Sequence, residues 1–241
     1  MSSISGKSYW LVGASEGLGR ALATALAREG AQLVLSARSL SRLQELADTL
    51  PDAWAVQVDV TDADSVRDAA QAAGPVDGVI YNAGAYDPMP TQDWNTQAAL
   101  NMCDVNYQGA VRVLGEVLPR YMADGTGDIT LVGSLAGYRG LPAAIGYGAS
   151  KAALVSLAET MRYDCRRTGV TVRLVNPGFI RTRLTDKNNF KMPMLMSPEQ
   201  AAEHIVRAMK SKRFRTDFPA PFSWAIRALE MLPDALAYRI G

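Results

Sequence analysis

Residues 13–19 read GASEGLG, and the fold turns on which of two devices they build. Gly13-Ala14-Ser15-Glu16-Gly17 fits the G-x-S-x-G elbow that presents a serine nucleophile, whereas Gly13, Gly17 and Gly19 together fit a glycine-rich turn that holds a dinucleotide. Both devices sit between a strand and a helix. The neighbours satisfy both, since SYWLVG reads as a strand and GLGRALATALAREG as a helix with Gly30 at its C′ position. Position in the chain separates them. An elbow needs an earlier strand to supply its oxyanion-hole loop, and only about a dozen residues precede Gly13. A serine hydrolase would use Ser15, an aspartate and His204, yet His204 falls in a capped helix rather than a late loop. The dinucleotide reading gives every glycine a task. Gly13 permits the sharp turn, Gly17 lets the backbone approach a pyrophosphate, and Gly19 lets the helix pack closely on the strand, while the helix N-terminus attracts the anion.

Working outward, QLVLSA (32–37), AWAVQVDV (53–60) and VDGVIYNAG (76–84) read as strands. Between them lie a helix over about 39–50 stopped by Pro51 and a helix opened by Thr61 as N-cap. A long helical region near 93–122, a strand GDITLVGS (127–134), a helix over about 147–168 and a sixth strand VTVRLVNPG (170–178) follow. Ser197-Pro198-Glu199-Gln200 opens a further helix, with Ser197 as N-cap, Pro198 at N1 and Gln200 closing a capping box. This alternation implies parallel strands joined by right-handed crossovers, and the apolar strands imply a sheet covered on both faces. The expected architecture is α/β: a single-domain, doubly wound Rossmann parallel sheet in three layers, with about seven strands, over residues 1–241.

Composition narrows the function. The 241 residues are 48% hydrophobic and 20% charged, with a net charge of +1 and no long like-charge run, so no electrostatic footprint for nucleic acid exists. Cys103 and Cys165 lie in different predicted helices, outside any C-x-x-C spacing, and read as reduced structural thiols; no metal site is expected. The opening MSSISGKSYW lacks a signal-peptide apolar run, and nowhere do about 18 consecutive apolar residues occur. A cytoplasmic location is expected. His204, beside Glu203, reads as a solvated residue of an amphipathic helix.

The second strand ends Ser36-Ala37-Arg38, where an acidic residue would normally accept hydrogen bonds from the adenosine ribose. Ala37 cannot do so, and the guanidinium of Arg38 suits a 2′-phosphate, so the sequence favours NADP over NAD. Glu16, inside the phosphate turn, works against that preference. The most informative stretch is Tyr147-Gly148-Ala149-Ser150-Lys151. A tyrosine and a lysine at i and i+4 share a helix face, and a cation beside a phenol lowers its pKa toward the range useful for proton transfer. Ser134 ends the fifth strand and Asn82-Ala83-Gly84 the fourth, both at the carboxyl edge where doubly wound sheets bind ligands; Asn106 lies in the helical region that follows the fourth strand.

On these residues the chain resembles the short-chain dehydrogenase/reductase family over about 7–210. The resemblance implies an oxidoreductase acting on CH–OH groups with NAD(P) and an Asn106-Ser134-Tyr147-Lys151 tetrad. Tyr147 would be the general acid in carbonyl reduction and the base in alcohol oxidation, and Ser134 would hydrogen-bond the substrate oxygen. Lys151 would lower the Tyr147 pKa and hydrogen-bond the nicotinamide ribose. Asn106 would hold an irregular helical turn and position a water linking Lys151 to solvent. For the cofactor, the resemblance implies contacts from Gly13, Ser15, Glu16, Gly17, Leu18 and Gly19. It adds Asp59 and Val60 beside the adenine, Asn82, Ala83 and Gly84 on the adenosine side, and Pro177, Gly178, Ile180 and Thr182 near the carboxamide. Where the family often has threonine before its first glycine, this chain has Val12.

Residues 183–197 fall where the family keeps a substrate lid. Phe190, Met192, Met194, Leu195 and Met196 would give it an apolar, adaptable surface, suggesting a hydrophobic carbonyl or alcohol substrate. Tyr86, Leu135, Tyr138, Arg139 and Leu141 are further pocket-wall candidates. In the extension 219–241, Phe222, Ile226, Leu229 and Leu232 recur at helical spacing, a pattern for packing on the domain or at a subunit interface, and too poor in basic residues for a membrane surface. The resemblance also implies a homodimer or homotetramer built on the helices carrying Asn106 and Tyr147. The competing reading is a catalytically idle NADP-binding sensor or scaffold, which would have no need of the proton-transfer residues.

Overall fold

The computed structural model describes residues 3–237 and 239. Its strands are β1 (Ser8–Val12), β2 (Gln32–Ala37), β3 (Ala53–Gln57), β4 (Gly78–Tyr81), β5 (Thr126–Val132), β6 (Gly169–Pro177) and β7 (Arg215–Phe218). All are parallel, in one sheet of order β3-β2-β1-β4-β5-β6-β7. The order reverses between β1 and β4, where connections leave to opposite faces and open a crevice at the carboxyl ends.

Burial on both faces explains the strand sequences. β1 sends Tyr9 and Leu11 into one apolar layer and Trp10 and Val12 into the other, and β2 divides Leu33 and Leu35 from Val34 in the same way. Helices α1 (Gly17–Arg28), α2 (Leu40–Ala47) and α7 (Pro198–Lys210) cover the first face. The second is covered by α3 (Ala63–Ala73), α5 (Gly109–Asp124) and α6 (Ile145–Asp164). The buried indole of Trp10 donates to Ser36 Oγ at 2.9 Å, so a polar side chain within β2 is satisfied. α4 (Thr96–Cys103) leads into α5, and α8 (Phe222–Met231) and α9 (Asp234–Ala237) close the described chain; the end of the expected extension, at 238, 240 and 241, lies outside the described residues.

Gly30 takes the left-handed C′ position (φ +80°), and the capping box of Ser197 and Gln200 forms in full. Other expectations are corrected. The N-cap of α3 is Asp62, whose carboxylate accepts from the Asp64 and Ser65 amides, while the Thr61 hydroxyl donates to Asp59. α2 ends at Ala47, short of Pro51. The 93–122 region divides into α4, a π-helical turn at Asp104–Gln108 and α5. His204 is half-buried and stacks on Phe218 at 4.5 Å instead of facing solvent. The seventh strand, RTDF, was beyond reach of the sequence patterns: it is a short edge strand whose first three residues are only half-buried.

Candidate active site

The glycine turn brings the ends of β1 and β4 into contact. Gly13 has φ +91°, and a methyl group there would lie 2.5 Å from the Ala83 nitrogen; one on Gly19 would lie 1.9 Å from the Gly13 oxygen. No side chain fits at either position. Asn82 Nδ2 donates to that same Gly13 oxygen at 2.8 Å, tying the two strand ends across the switch point. The turn is thus built for close backbone approach, not for presenting Ser15 as a nucleophile.

A cleft of about 1490 Å³ runs along the carboxyl edge from this turn to α8. Gly13, Ser15, Glu16, Gly17 and Leu18 line it beside Arg38, Asp59 and Val60. Asn82, Ala83 and Gly84 follow, then Ser134, Tyr147 and Lys151, and finally Pro177, Gly178, Ile180 and Thr182. Two expected site residues stand behind the lining. Gly19 serves the packing just described, and Asn106 is wholly buried in the π-helical turn.

Asn106 works through other residues. Its Oδ1 accepts from Ala85 N at 2.6 Å, and its Nδ2 donates to Ala85 O at 3.0 Å and to Ser150 Oγ at 2.9 Å. Ser150 Oγ in turn donates to Tyr147 O at 2.8 Å, so Asn106 joins the segment after β4 to the catalytic face of α6. The extra residue of a π turn re-aims one side chain, which is why such turns recur at functional sites.

Tyr147 and Lys151 lie one turn apart on α6, with the amine 5.8 Å from the centre of the Tyr147 ring. The amine donates to Val132 O at 2.9 Å. Burial pulls its pKa down to about 8. Burial likewise raises the Tyr147 phenol, a hydrogen bond with Ser134 lowers it, and the neighbouring Tyr86 raises it again; the net displacement is upward. The amine thus bonds Val132 O while lying beside the Tyr147 ring, and the side-chain hydrogen bond that lowers the Tyr147 pKa comes from Ser134. The Ser134 hydroxyl also caps the helical turn Leu135–Gly137, accepting from Ala136 N at 3.1 Å, which fixes its position at the end of β5.

Several contributors went unrecognised. Tyr86 does more than form a wall: its ring meets Tyr147 edge-on at 4.9 Å while its hydroxyl donates to Asn188 of the 183–197 segment at 2.7 Å. Glu16 is held by Arg42 at 3.0 Å and Arg183 at 2.6 Å, so its charge is offset within the cleft lining. Arg42 was legible as the second arginine of Arg38-Ser39-Leu40-Ser41-Arg42, in the first turn of the helix that follows the strand end carrying Arg38. Asp59 is drawn up by burial, but hydrogen bonds from Thr61 and the charges of Arg38 and Arg112 take it below the ordinary carboxylate value. Residues of the 183–197 segment do line the cleft, Lys187, Asn188 and Lys191 among them, but of the five apolar side chains expected to face it Phe190 alone does so; Met196 joins the core and Met192, Met194 and Leu195 do not reach the cleft. Tyr86, Leu135 and Leu141 line it, whereas Tyr138 and Arg139 do not.

The comparisons with known proteins agree with this geometry. A family model described as short chain dehydrogenase matches residues 7–193. The chain is 36% identical over 244 residues to an uncharacterized oxidoreductase of Myxococcus xanthus, covering 98% of this chain and 96% of that one. It is 32% identical over 224 residues to the ketoacyl reductase HetN of Nostoc, covering 88% and 78%. A crystal structure of a short chain dehydrogenase from Burkholderia cenocepacia in complex with NADP superposes with a TM-score of 0.88 at 27% identity, over 99% of both chains. The chain belongs to the short-chain dehydrogenase/reductase family of oxidoreductases. No helix among the described residues is long and apolar enough to cross a membrane.

Proposed function

We propose that the protein is an NADP(H)-dependent oxidoreductase that transfers hydride between the nicotinamide and a carbonyl or secondary alcohol with an apolar body. The observation that carries this reading is one continuous cleft. It joins a glycine turn open to close backbone approach, at one end, to the hydroxyls of Ser134 and Tyr147 and the buried amine of Lys151. The residues present fit the dinucleotide. Backbone of Gly13 and of Ser15–Leu18 would hold the pyrophosphate at the N-terminus of α1. Asp59, Val60 and the 82–84 segment would hold the adenosine, and Pro177, Gly178, Ile180 and Thr182 the carboxamide end. Arg38, Ser39, Ser41 and Arg42 line the cleft where β2 ends, a donor set for a 2′-phosphate that supports NADP; similar solved structures carry NADP in one case and NAD in another, which supports a nicotinamide dinucleotide.

When bound, the reduced nicotinamide supplies the hydride. Ser134 donates a hydrogen bond to the substrate oxygen, and Tyr147 gives that oxygen its proton as negative charge develops there. In the reverse direction Tyr147 takes the hydroxyl proton. Lys151 holds the ribose side, and Asn106 keeps α6 in register through Ser150. Assembly as a dimer or tetramer through the outer face of α4 to α6 belongs to the same reading, supported by exposed Leu100, Val111, Met122 and Tyr163; light scattering tests it. Activity is tested by following NADPH absorbance over a panel of carbonyl compounds, with Tyr147→Phe run beside the native protein. Full activity in the variant would show that the acid has been misassigned.

A further inference from the structure

The cleft ends in a wall of rings. Phe179 follows β6, Phe190 sits in the 183–197 segment, and Phe222 opens α8; all three line the cleft, as does Ile226 one turn along α8. Phe179 stacks on Phe222 with centres 5.7 Å apart and planes at 29°, and it meets Phe190 edge-on at 5.7 Å and 72°. Among the described residues no methionine lines the cleft, so the wall as described lacks the side chains that adapt to irregular shapes.

The wall is also fixed relative to the reacting end. Arg139 donates to Leu229 O at 3.2 Å, Leu232 O at 3.0 Å and Asp234 Oδ1 at 2.6 Å, satisfying the carbonyls at the end of α8. The guanidinium of Arg227, on α8, lies 4.8 Å from the ring centre of Tyr138. Tyr138 and Arg139 belong to the segment that begins at Ser134, so α8 is clamped by the loop that presents the substrate-facing hydroxyl. At its other end Phe222 sits so close to the backbone that a methyl on Gly178 would come 3.2 Å from its ring.

We propose that Phe179, Phe190 and Phe222, with Ile226, form a substrate subsite selective for an aromatic ring carried by the carbonyl or alcohol substrate, with α8 as its fixed side. The inference rests on the carbonyl-reduction reading of the cleft. A ring entering this wall can meet it edge to face, as Phe190 meets Phe179, or stacked, as Phe222 meets Phe179. A flexible alkyl chain gains less from these contacts and loses rotamer freedom against a surface that does not reshape to meet it.

The test compares acetophenone, its cyclohexyl analogue and a linear methyl ketone of equal carbon count. Binding to protein saturated with NADP⁺, where no reduction occurs, is measured by calorimetry, and turnover is followed separately with NADPH. Acetophenone is expected to bind about fivefold to tenfold more tightly than the linear ketone, the range set by one or two aromatic contacts. Phe222→Leu, and Phe190→Leu as a variant that leaves the seat of α8 untouched, should each reduce that ratio to below about threefold. Equal binding of the three ketones, or a ratio unchanged in both variants, overturns the subsite even if NADPH is consumed. Selective binding without turnover of any ketone would leave the subsite standing and remove the reductase reading instead.

Discussion

Two buried cations on opposite sides of the sheet's midline are treated in opposite ways. Arg173, 2% exposed, is paired with the buried carboxylate of Asp128 toward the amino ends of β5 and β6, and its Nε reaches Ser211 O. Lys151, 4% exposed at the carboxyl edge, has one carbonyl as hydrogen-bond partner and no carboxylate within ion-pair distance among the described residues. Desolvating an unpaired charge is unfavourable, which is the cause of the lowered Lys151 pKa. The difference teaches where the fold places stability and where it gives some up. The arginine is neutralised by a carboxylate of the protein itself, while the lysine meets a backbone carbonyl and keeps its desolvation cost.

The contrast can be broken or sharpened by mutation. The largest effect is expected at the carboxyl edge, where Tyr147→Phe should lower kcat by about a thousandfold with thermal unfolding unchanged, because positioned acid–base groups contribute on that scale. At the amino side, Asp128→Ala should destabilise by about 3–5 kcal/mol in denaturant titration, since it strands a buried cation. Its kcat, measured where the protein remains folded, should equal that of the native enzyme. If activity fell with stability, the two edges would not be independent.

Lys151→Met should do the reverse of Asp128→Ala and stabilise the cofactor-free protein by about 1–3 kcal/mol, the lowered pKa setting the upper bound and the lost bond to Val132 reducing it. The pH dependence has a definite sign. Between about 8 and the ordinary lysine value of 10.5, the unfolded chain holds a proton that the folded chain has shed, so raising pH across that window stabilises the native protein. The advantage of Lys151→Met should therefore shrink from pH 7 to pH 10, as read from unfolding free energies. Next in size, combining Arg38→Ala with Arg42→Ala should reduce kcat/KM for NADPH by about tenfold to a hundredfold while sparing NADH, as expected for lost charge-assisted bonds. The smallest effect concerns direction. With the Tyr147 phenol raised, carbonyl reduction should stay level as pH climbs through neutrality while alcohol oxidation, which needs the phenolate, increases.

Much of this was readable in the chain because the relevant patterns are local. Gly13, Gly17 and Gly19 sit at fixed offsets between a β-rich run and a helical one, and Tyr147 and Lys151 share a helix face by spacing alone. The capping box at Ser197 is a four-residue signal of the same kind. What escaped depends on contacts across long sequence separations. Nothing near Lys151 in sequence shows that its amine will bond Val132 O, nor that Ser134 will hydrogen-bond the Tyr147 phenol. The pairing of Glu16 with Arg183 spans 167 residues, and the Tyr86–Asn188 bond spans 102. RTDF was passed over because a short, charged strand at a sheet edge carries no alternation to read. The lid methionines misled because apolar composition marks burial without saying which side of a loop faces the cleft.

The family match ends at residue 193, yet Phe222 and Ile226 reach the cleft from α8. The proposed aromatic subsite thus draws on both sides of that limit, with Phe179 and Phe190 inside the family match and Phe222 and Ile226 beyond it. Under the subsite proposal, a change confined to α8 would reshape one side of the wall while leaving Ser134, Tyr147 and Lys151 in place.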